Sequence, residues 1–449
     1  MNMQVSPSAI VNSDIVNLSS SLLDRDSYLN GLLAKVSSNQ TEGWLQEVKE
    51  RAADWVRHSV IPNTREEEWR FTDLSSLRQV EFQVEAQYPV SGDHIPTLPE
   101  ANNRLVFVNG VYAPELSATT DLPPGVVVSN LADLPDTYTE KVQQYLSQSE
   151  GALEVFTALN TAGINDAAVV WIPKNMVVET PIHLVFIAAG EKPTISQPRC
   201  LVVGETGSQV SLVEEYTNLK GAESPEGVYF TNTVTEIFVN ENAQINHTRI
   251  ESDGAEAFHI GKTAVTQARY SRYSCHAINL GGKLSRHNLE ILQTGEQTET
   301  TLNGLTMIGG QQVADTHSAI ALNHAYGITR QLHKCIVGDK AHGVFNGKVF
   351  VPKPAQLTDA GQLNRNLLLS PHARVDTKPQ LEITADNVKC AHGATVSQLE
   401  DDEIFYLQSR GINEDSARNL LIHAFAAEII NHIPVPSLRK RLTQTANQF

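Results

Sequence analysis

The sequence is poor in cysteine, in positive charge and in long apolar runs. Its 449 residues contain four widely spaced cysteines and no CxxC pair. We therefore expect neither a disulfide framework nor a four-ligand zinc site formed by close cysteine pairs, and a reducing compartment is the default. The formal net charge of −17 disfavours broad binding to nucleic acid or anionic membranes, which needs clustered lysine and arginine.

No stretch approaches the roughly 20 apolar residues of a membrane helix. The first residues, "MNMQVSPSAIVNSDIVNLSS", lack a positive segment followed by an apolar run, so we expect a cytoplasmic protein. The common catalytic signatures GxxxxGK[ST], GxSxG and HExxH are also missing, as is a GxGxxG that opens a strand–turn–helix unit. We therefore expect no ATP hydrolysis by this chain itself and no enzyme of those classes.

What is present indicates a folded chain, with 41% hydrophobic and 19% charged residues. Apolar residues at helical spacing predict helices over residues 14–36 and 41–58. Asn109-Gly110 between β-rich runs predicts a hairpin, and residues 137–163 have a helical pattern. The charge run Arg65–Glu68 is more typical of a solvated face than of an interaction surface.

From about 168 to 396 the chain is a succession of short β segments without a convincing helix. Two architectures fit such a run: a sandwich or barrel, and a parallel β-helix. Polar residues at inward positions, as in "GQLNRNLLLS", suit ladders between stacked rungs. Tight two-residue turns are also missing from this part, so we favour the β-helix.

After residue 396 the pattern becomes helical. Gly411 marks a helix end, and Asn413 is placed to cap a helix that runs towards Pro434. Helices that follow strands, rather than alternate with them, exclude a doubly wound parallel sheet. The apolar stripe predicted for this last helix is Ala417, Leu420, Leu421, Ala424, Phe425 and Ile429.

The residues with chemical potential are cysteine–histidine pairs on strands. Cys390 and His392 in "DNVKCAHGATVSQL" lie two apart and so share one face of a strand; His333 and Cys335 have the same spacing. Each pair is either ordinary core or a reactive group. Two ligands cannot complete a metal site, so a role for Cys390 and His392 in handling iron or sulfide requires further ligands from a partner chain.

Several long motifs carry a family resemblance. "TREEEWRFTDL", "LVFVNGVYAPELS", "GVFNGKVFV" and "TKPQLEITADNVKCAHGATVSQLEDDEIFYLQSRGI" resemble the SufB/SufD family of SUF iron–sulfur cluster assembly scaffolds. Within it, "KCAHGAT" and the low cysteine count are similar to the SufD branch. SufB-like sequences carry a Glu/His-containing segment there and more cysteines.

The resemblance implies a mainly β fold with α-helical ends: a right-handed parallel β-helix over 166–396, an N-terminal helical or mixed region over 1–165 and a C-terminal helical region over 397–449. It implies pairing with SufB through the β-helix and binding of the SufC ATPase through the C-terminal helices. The residues that we expect to contact the ATPase are Phe405, Leu420, Leu421 and Phe425.

The resemblance also implies a role in iron acquisition and nascent cluster assembly, with His392 and Cys390 as half of a metal site at the SufB–SufD interface. Iron or a cluster would be held there transiently, and we expect the isolated chain to bind neither stably. Without SufB, the same surface would be available for homodimerisation. Two other hypotheses are a purely structural subunit without a ligand role and a carbohydrate-active β-helix enzyme.

Overall fold

The computed structural model of the chain describes residues 22–37, 43–85, 88–149, 151, 154–219 and 227–449. Its helices are α1 (Leu22–Val36), α2 (Trp44–Arg57), α3 (Asp136–Gln143), α4 (Val155–Ala162), α5 (Asp401–Ser409), α6 (Glu414–Ile430) and α7 (Pro436–Ala446). Among these described helices, none is long and apolar enough to span a membrane.

The strands form two sheets. The first sheet contains β1 (Asn103–Val108), β2 (Val111–Tyr112), β5 (Ile182–Ala188), β8 (Gln209–Asn218), β10 (Gln244–Ser252), β12 (Arg272–Asn279), β14 (Glu299–Ile308), β16 (Ile328–Val337), β18 (Asp359–Leu368) and β20 (Lys389–Gln398). The second contains β3 (Val127–Asn130), β4 (Ala168–Ile172), β6 (Thr194–Ser196), β7 (Arg199–Gly204), β9 (Tyr229–Val239), β11 (Phe258–Gln267), β13 (Leu284–Gln293), β15 (Val313–Ala321), β17 (His342–Val351) and β19 (Arg374–Ile383).

From β7 onwards, successive strands belong to opposite sheets, and each strand pairs in parallel with the strand two places along the chain. This winding is a parallel β-helix, as predicted, with helices at both ends of the chain and the sandwich or barrel excluded. Within the described part of 168–396, no helix interrupts the strands. The register brings equivalent residues of successive rungs into columns, so that an inward position stays inward from one rung to the next.

The inward columns contain an apolar cluster and a polar ladder. Gln362, Asn364 and Asn366 alternate along β18 and are all buried. The Asn366 amide donates to Asn364 Oδ1 at 2.6 Å, and Thr377 of the facing sheet donates to the same oxygen at 2.7 Å. The ladder expected from "GQLNRNLLLS" is confirmed, because buried amides need such partners.

The N-terminal half follows the sequence prediction in part. Asn109 and Gly110 have positive φ angles of 51° and 81° and join the antiparallel β1 and β2, so the hairpin is confirmed. The helical pattern over 137–163 is confirmed in part, as the two helices α3 and α4, which left-handed backbone at Ser147 and Gly151 separates. Part of the two predicted N-terminal helices, residues 14–21 and 41–42, lies outside the described residues.

The helices cover the outer faces of the two sheets. Residues of α1, α2 and α4 pack against Phe230, Phe258 and Ile260 on the second sheet. On the first sheet, α6 and α7 pack against outward residues such as Met307 and Ile336. The C-terminal helices therefore lie on the side of the β-helix.

Both C-terminal boundary signals are confirmed. Asn413 Oδ1 accepts the Ser416 backbone N–H at 2.8 Å, and α5 ends before Gly411, whose φ is 87°. The α6 stripe is wrong in its centre, since Leu420 and Ala424 are exposed. The buried residues of α6 are instead Ala417, Ile422, Ala426, Ile429 and Ile430.

The packing of the polar interior leaves no room for a side chain at Gly304. An alanine Cβ there would lie 2.0 Å from His333 Nδ1, and the His333 ring stacks on Phe345 with centroids 4.9 Å apart, so it cannot move away. We expect Gly304→Ala to lower the free energy of unfolding by about 1–3 kcal/mol, measured by urea denaturation. At the control position Gly361, the nearest atom, Arg330 Cδ, lies 3.6 Å away. An equal loss in Gly361→Ala would contradict the packing explanation.

Candidate functional site

The β-helix ends in a rung that has no neighbour. In the orders of the two sheets, β20 and β19 are terminal strands, and within the described residues no strand pairs with their outer edges. Inward side chains on this rung are consequently exposed, for example Val396 at 50% and Ile383 at 38%. An unpaired sheet edge with apolar residues beside it is a surface on which another β chain can dock.

His392 and Cys390 lie on this open rung and occupy inward positions. Cys390 pairs in register with Ala360, and His392 pairs with Gln362, whose side chains belong to the interior. Cys390 is half-buried and packs against the main apolar cluster, whereas His392 is exposed. The structure thus places the pair on one face of a strand, at the mouth of the β-helix interior.

The Cys390 thiol is not activated within this chain. Its burial raises the pKa, and the nearby Asp359 carboxylate acts in the same direction, while a hydrogen bond with the Ala360 backbone opposes them. A partner would have to add positive charge or a metal ion before Cys390 became a thiolate near neutral pH.

The other cysteine–histidine candidates belong to the core. His333 and Cys335 both point inward and are buried. Burial lowers the pKa of His333 to about 4 and raises that of Cys335 to about 12, so neither carries charge near neutral pH. Cys275 points inward and His276 outward, as their adjacent positions predict.

A buried network of charges lies deeper in the interior and was not predicted from the sequence. Arg249 donates to Glu251 Oε2 at 3.0 Å and to His259 Nε2 at 2.6 Å, and His259 Nδ1 lies 2.8 Å from Asp253 Oδ2. The alternating polar residues in "QINHTRIES" were the available signal, since a charged residue on a buried face needs partners.

Glu251, Asp253 and His259 have ligand atoms within 4.8 Å of one another, which is close enough to surround a metal ion. Both nitrogens of His259 are already engaged, however, one with Asp253 and one with the Arg249 guanidinium. The imidazole therefore has no lone pair left for a metal, and the arrangement is an internally compensated ion network.

All four residues of the charge run Arg65–Glu68 are exposed. Glu68 Oε2 lies 3.1 Å from His317 Nδ1, Glu67 pairs with Lys378 of β19, and the Glu68 carbonyl accepts from Arg286. The predicted solvated face is confirmed by this exposure, although two of its glutamates also pair with other parts of the chain. The run fastens the N-terminal region to the outer face of the second sheet.

The candidate ATPase-binding residues divide into two groups. Phe405 is 70% exposed and Leu420 is 46% exposed. Leu421 and Phe425 are half-buried. The Lys334 ammonium lies 4.0 Å from the centroid of the Phe425 ring, which also packs against the core beneath α6. Phe425 therefore helps attach α6 to its own sheet, and Phe405 and Leu420 are the members free to contact another protein.

Two features of this region were missed from the sequence. Tyr406 is 58% exposed beside Phe405, although nothing in the helical pattern distinguishes it from a packed aromatic. Helix α7 begins with Pro436 and buries Leu438, Leu442 and Ala446. A proline at the first turn followed by apolar residues four apart is a helix signal.

Comparison with known proteins identifies the family of this chain. A family model described as the SufBD core domain of the SUF system for FeS cluster assembly matches residues 186–425, and a SufBD N-terminal region model matches residues 31–184. The chain belongs to the SufBD family of SUF iron–sulfur cluster assembly proteins.

Named relatives support a subunit of the SufD type. A SufBD family protein of Synechocystis is 50% identical over 404 residues, which cover 88% of this chain and 89% of the relative. The iron–sulfur cluster assembly protein SufD of Escherichia coli is 33% identical over 397 residues, covering 86% and 89%. SufD of Bacillus subtilis is 24% identical over 428 residues, covering 90% and 93%.

The exposure of the thiols predicts their reactivity. Cys200, Cys275 and Cys335 are buried, so we expect iodoacetamide to alkylate the native chain at Cys390 alone. Because burial raises the pKa of the Cys390 thiol, the rate should keep rising with pH beyond the range of a free cysteine, near 8.5. Intact mass measured over time at several pH values checks both points, with Cys390→Ser as the unreactive control. A rate that reaches its plateau below pH 8.5 would show that the thiol is activated.

Proposed function

We propose that this chain is a non-ATPase scaffold subunit of the SUF assembly complex, which pairs with SufB through its β-helix and supports iron acquisition and nascent cluster assembly at that interface. The observation that carries the proposal is the open last rung, where His392 and Cys390 occupy inward positions. A second β-helix that docked on β19 and β20 would cover the exposed apolar residues and enclose both side chains. Iron or the nascent cluster is cargo at this place, and further ligands come from the partner.

His392 is the stronger ligand of the pair in physical terms. A neutral imidazole donates a nitrogen lone pair to iron without first losing a proton. Cys390 first has to lose a proton, and its raised pKa opposes that loss. We therefore assign iron or cluster binding to His392 and a secondary place to Cys390.

The ligand role is tested in the assembled complex, purified without oxygen. We expect His392→Ala to leave the subunits associated but to lower the iron and acid-labile sulfide that co-purify with them, because the interface site has lost a donor. His58, exposed at the end of α2, provides a matched control in His58→Ala. Unchanged iron and sulfide in His392→Ala would favour the alternative, a purely structural subunit.

We further propose that α5 and α6 bind the SufC ATPase through the exposed side chains of Phe405 and Leu420. Both are large apolar residues in solvent, and burial of such a residue contributes about 1.5–3 kcal/mol. The chain itself has no phosphate-binding loop, so ATP hydrolysis is assigned to the partner. We retain a location in the cytoplasm as part of the same proposal.

Removal of residues 412–449 would not test this idea cleanly, because α6 and α7 cover the outer face of the first sheet. The double variant Phe405→Glu/Leu420→Glu changes only exposed residues. We expect it to abolish co-purification of the ATPase while pairing through the β-helix persists. Val396→Glu on the open rung should have the converse effect, since it places a charge at that interface. Retention of the ATPase by the double variant would refute the assignment.

A further inference from the structure

The interior neighbour of His392 is a buried glutamine. Gln362 of β18 pairs in register with His392 of β20, and neighbouring strands lie about 4.8 Å apart. Gln362 is only 3% exposed. The two side chains point into the same interior, and His392 lies on the open rung directly beyond the glutamine.

The amide group of Gln362 is held in one orientation. Its Nε2 donates to Gln331 Oε1 at 2.8 Å, and Gln331 Nε2 in turn donates to Ser318 Oγ at 2.8 Å. The amide occupies space left by Gly347, where an added Cβ would lie 2.4 Å from Gln362 Nε2. Because the nitrogen faces Gln331, the oxygen is the atom that remains available.

This oxygen lacks a partner. Gln362 Oε1 is buried and accepts no hydrogen bond from any described residue, and the imidazole of His392 likewise has no hydrogen bond or ion pair with the described part of the chain. A buried acceptor left unpaired is costly. The donor in the next rung along this column is the N–H of His392.

We propose that Gln362 is a positioning residue for His392: its Oε1 accepts the N–H of one ring nitrogen and so directs the other nitrogen, with its lone pair, towards the cargo. Histidines that bind metals usually donate their second N–H to an oxygen, which fixes both the tautomer and the ring orientation. The inference rests on the proposed ligand role of His392, and it identifies Gln362 as the residue that fixes the tautomer and the orientation of this ring. Two hydrogen bonds, from Gln331 to Ser318 of the facing sheet and from Gln362 to Gln331, fix the orientation of the Gln362 amide at the mouth of the β-helix.

The test measures the tautomer of His392 in the full chain. Histidines labelled with ¹⁵N report which ring nitrogen carries the proton, and the His392→Ala variant identifies the relevant signal. We expect one tautomer in the unchanged chain, and a shift of its ratio by roughly fivefold in Gln362→Met, which keeps the length of the side chain but removes the acceptor. If the methionine variant does not fold, the tautomer ratio is compared in Gln362→Ala instead. Water can enter the cavity that this substitution leaves at the open end.

Asn366 provides the matched control. It too is a buried amide of β18 with an unpartnered oxygen, but its neighbour in the next rung is Val396. Asn366→Leu should therefore lower stability without altering the His392 signal. Gln362→Glu should restore the bias, because the carboxylate keeps an acceptor and Gln331 can turn its amide while the Ser318 hydroxyl reverses its role.

The outcomes separate this inference from the proposed function. An unchanged tautomer in both Gln362→Met and Gln362→Ala, or an equal change in Asn366→Leu, would overturn the positioning role. If the tautomer changes while iron in the complex stays constant in His392→Ala, the positioning role stands and the ligand role fails. A change in the tautomer together with a loss of iron in Gln362→Met supports both.

Discussion

The constraint on which the rest of the structure depends is the stacking of rungs in register. From β8 to β18, each strand is hydrogen-bonded to the equivalent strand of the rung before and of the rung after it, so each side chain has fixed neighbours about 4.8 Å away along its column. A column that begins with an amide continues well with another amide, as Gln331 and Gln362 illustrate. Among the described residues, the last rung is the place where this rule is not met, because β19 and β20 have unpaired outer edges there.

The polar interior is maintained by local neutralisation. Arg199 donates to Glu236 at 2.5 Å, and Arg249 holds Glu251 and His259. Burial opposes charge on His247, but hydrogen bonds with Cys275 and Glu214 outweigh it and raise the pKa to about 9. Removal of one partner from such a group leaves a buried charge without compensation, so we expect substitution of these residues to be strongly destabilising. The open rung differs because solvent or a partner can reach it.

The sequence predicted the β-helix and the position of the Cys390–His392 pair because both depend on local periodicity. It could not predict which side of α6 is buried, since the helix is apolar around much of its circumference and the sheet beneath selects Ile422 and Ala426. The break between α3 and α4 could not be predicted either, because it depends on contacts with a residue that is distant in sequence. Backbone N–H groups of Ser147 and Ser149 donate to Glu236, a residue distant in sequence. The neighbour of His392 could not be predicted either, because only the register between β18 and β20 shows that it is Gln362.

The proposed cargo site on β20 and the helix α6, proposed to bind the ATPase, are built on one sheet. Helix α6 is fastened to β16 by Lys334, whose ammonium contacts Glu428 at 2.5 Å and the carbonyl of Phe425 at 2.9 Å. Lys334 points outward from the same strand that turns Gln331 inward. The strand that bears the helices therefore also contributes the amide that orients Gln362 beneath the open rung. A rigid strand with one face towards the proposed ATPase-binding helices and the other towards the proposed cargo site would be a suitable support for a scaffold, because neither surface has to be assembled from flexible loops.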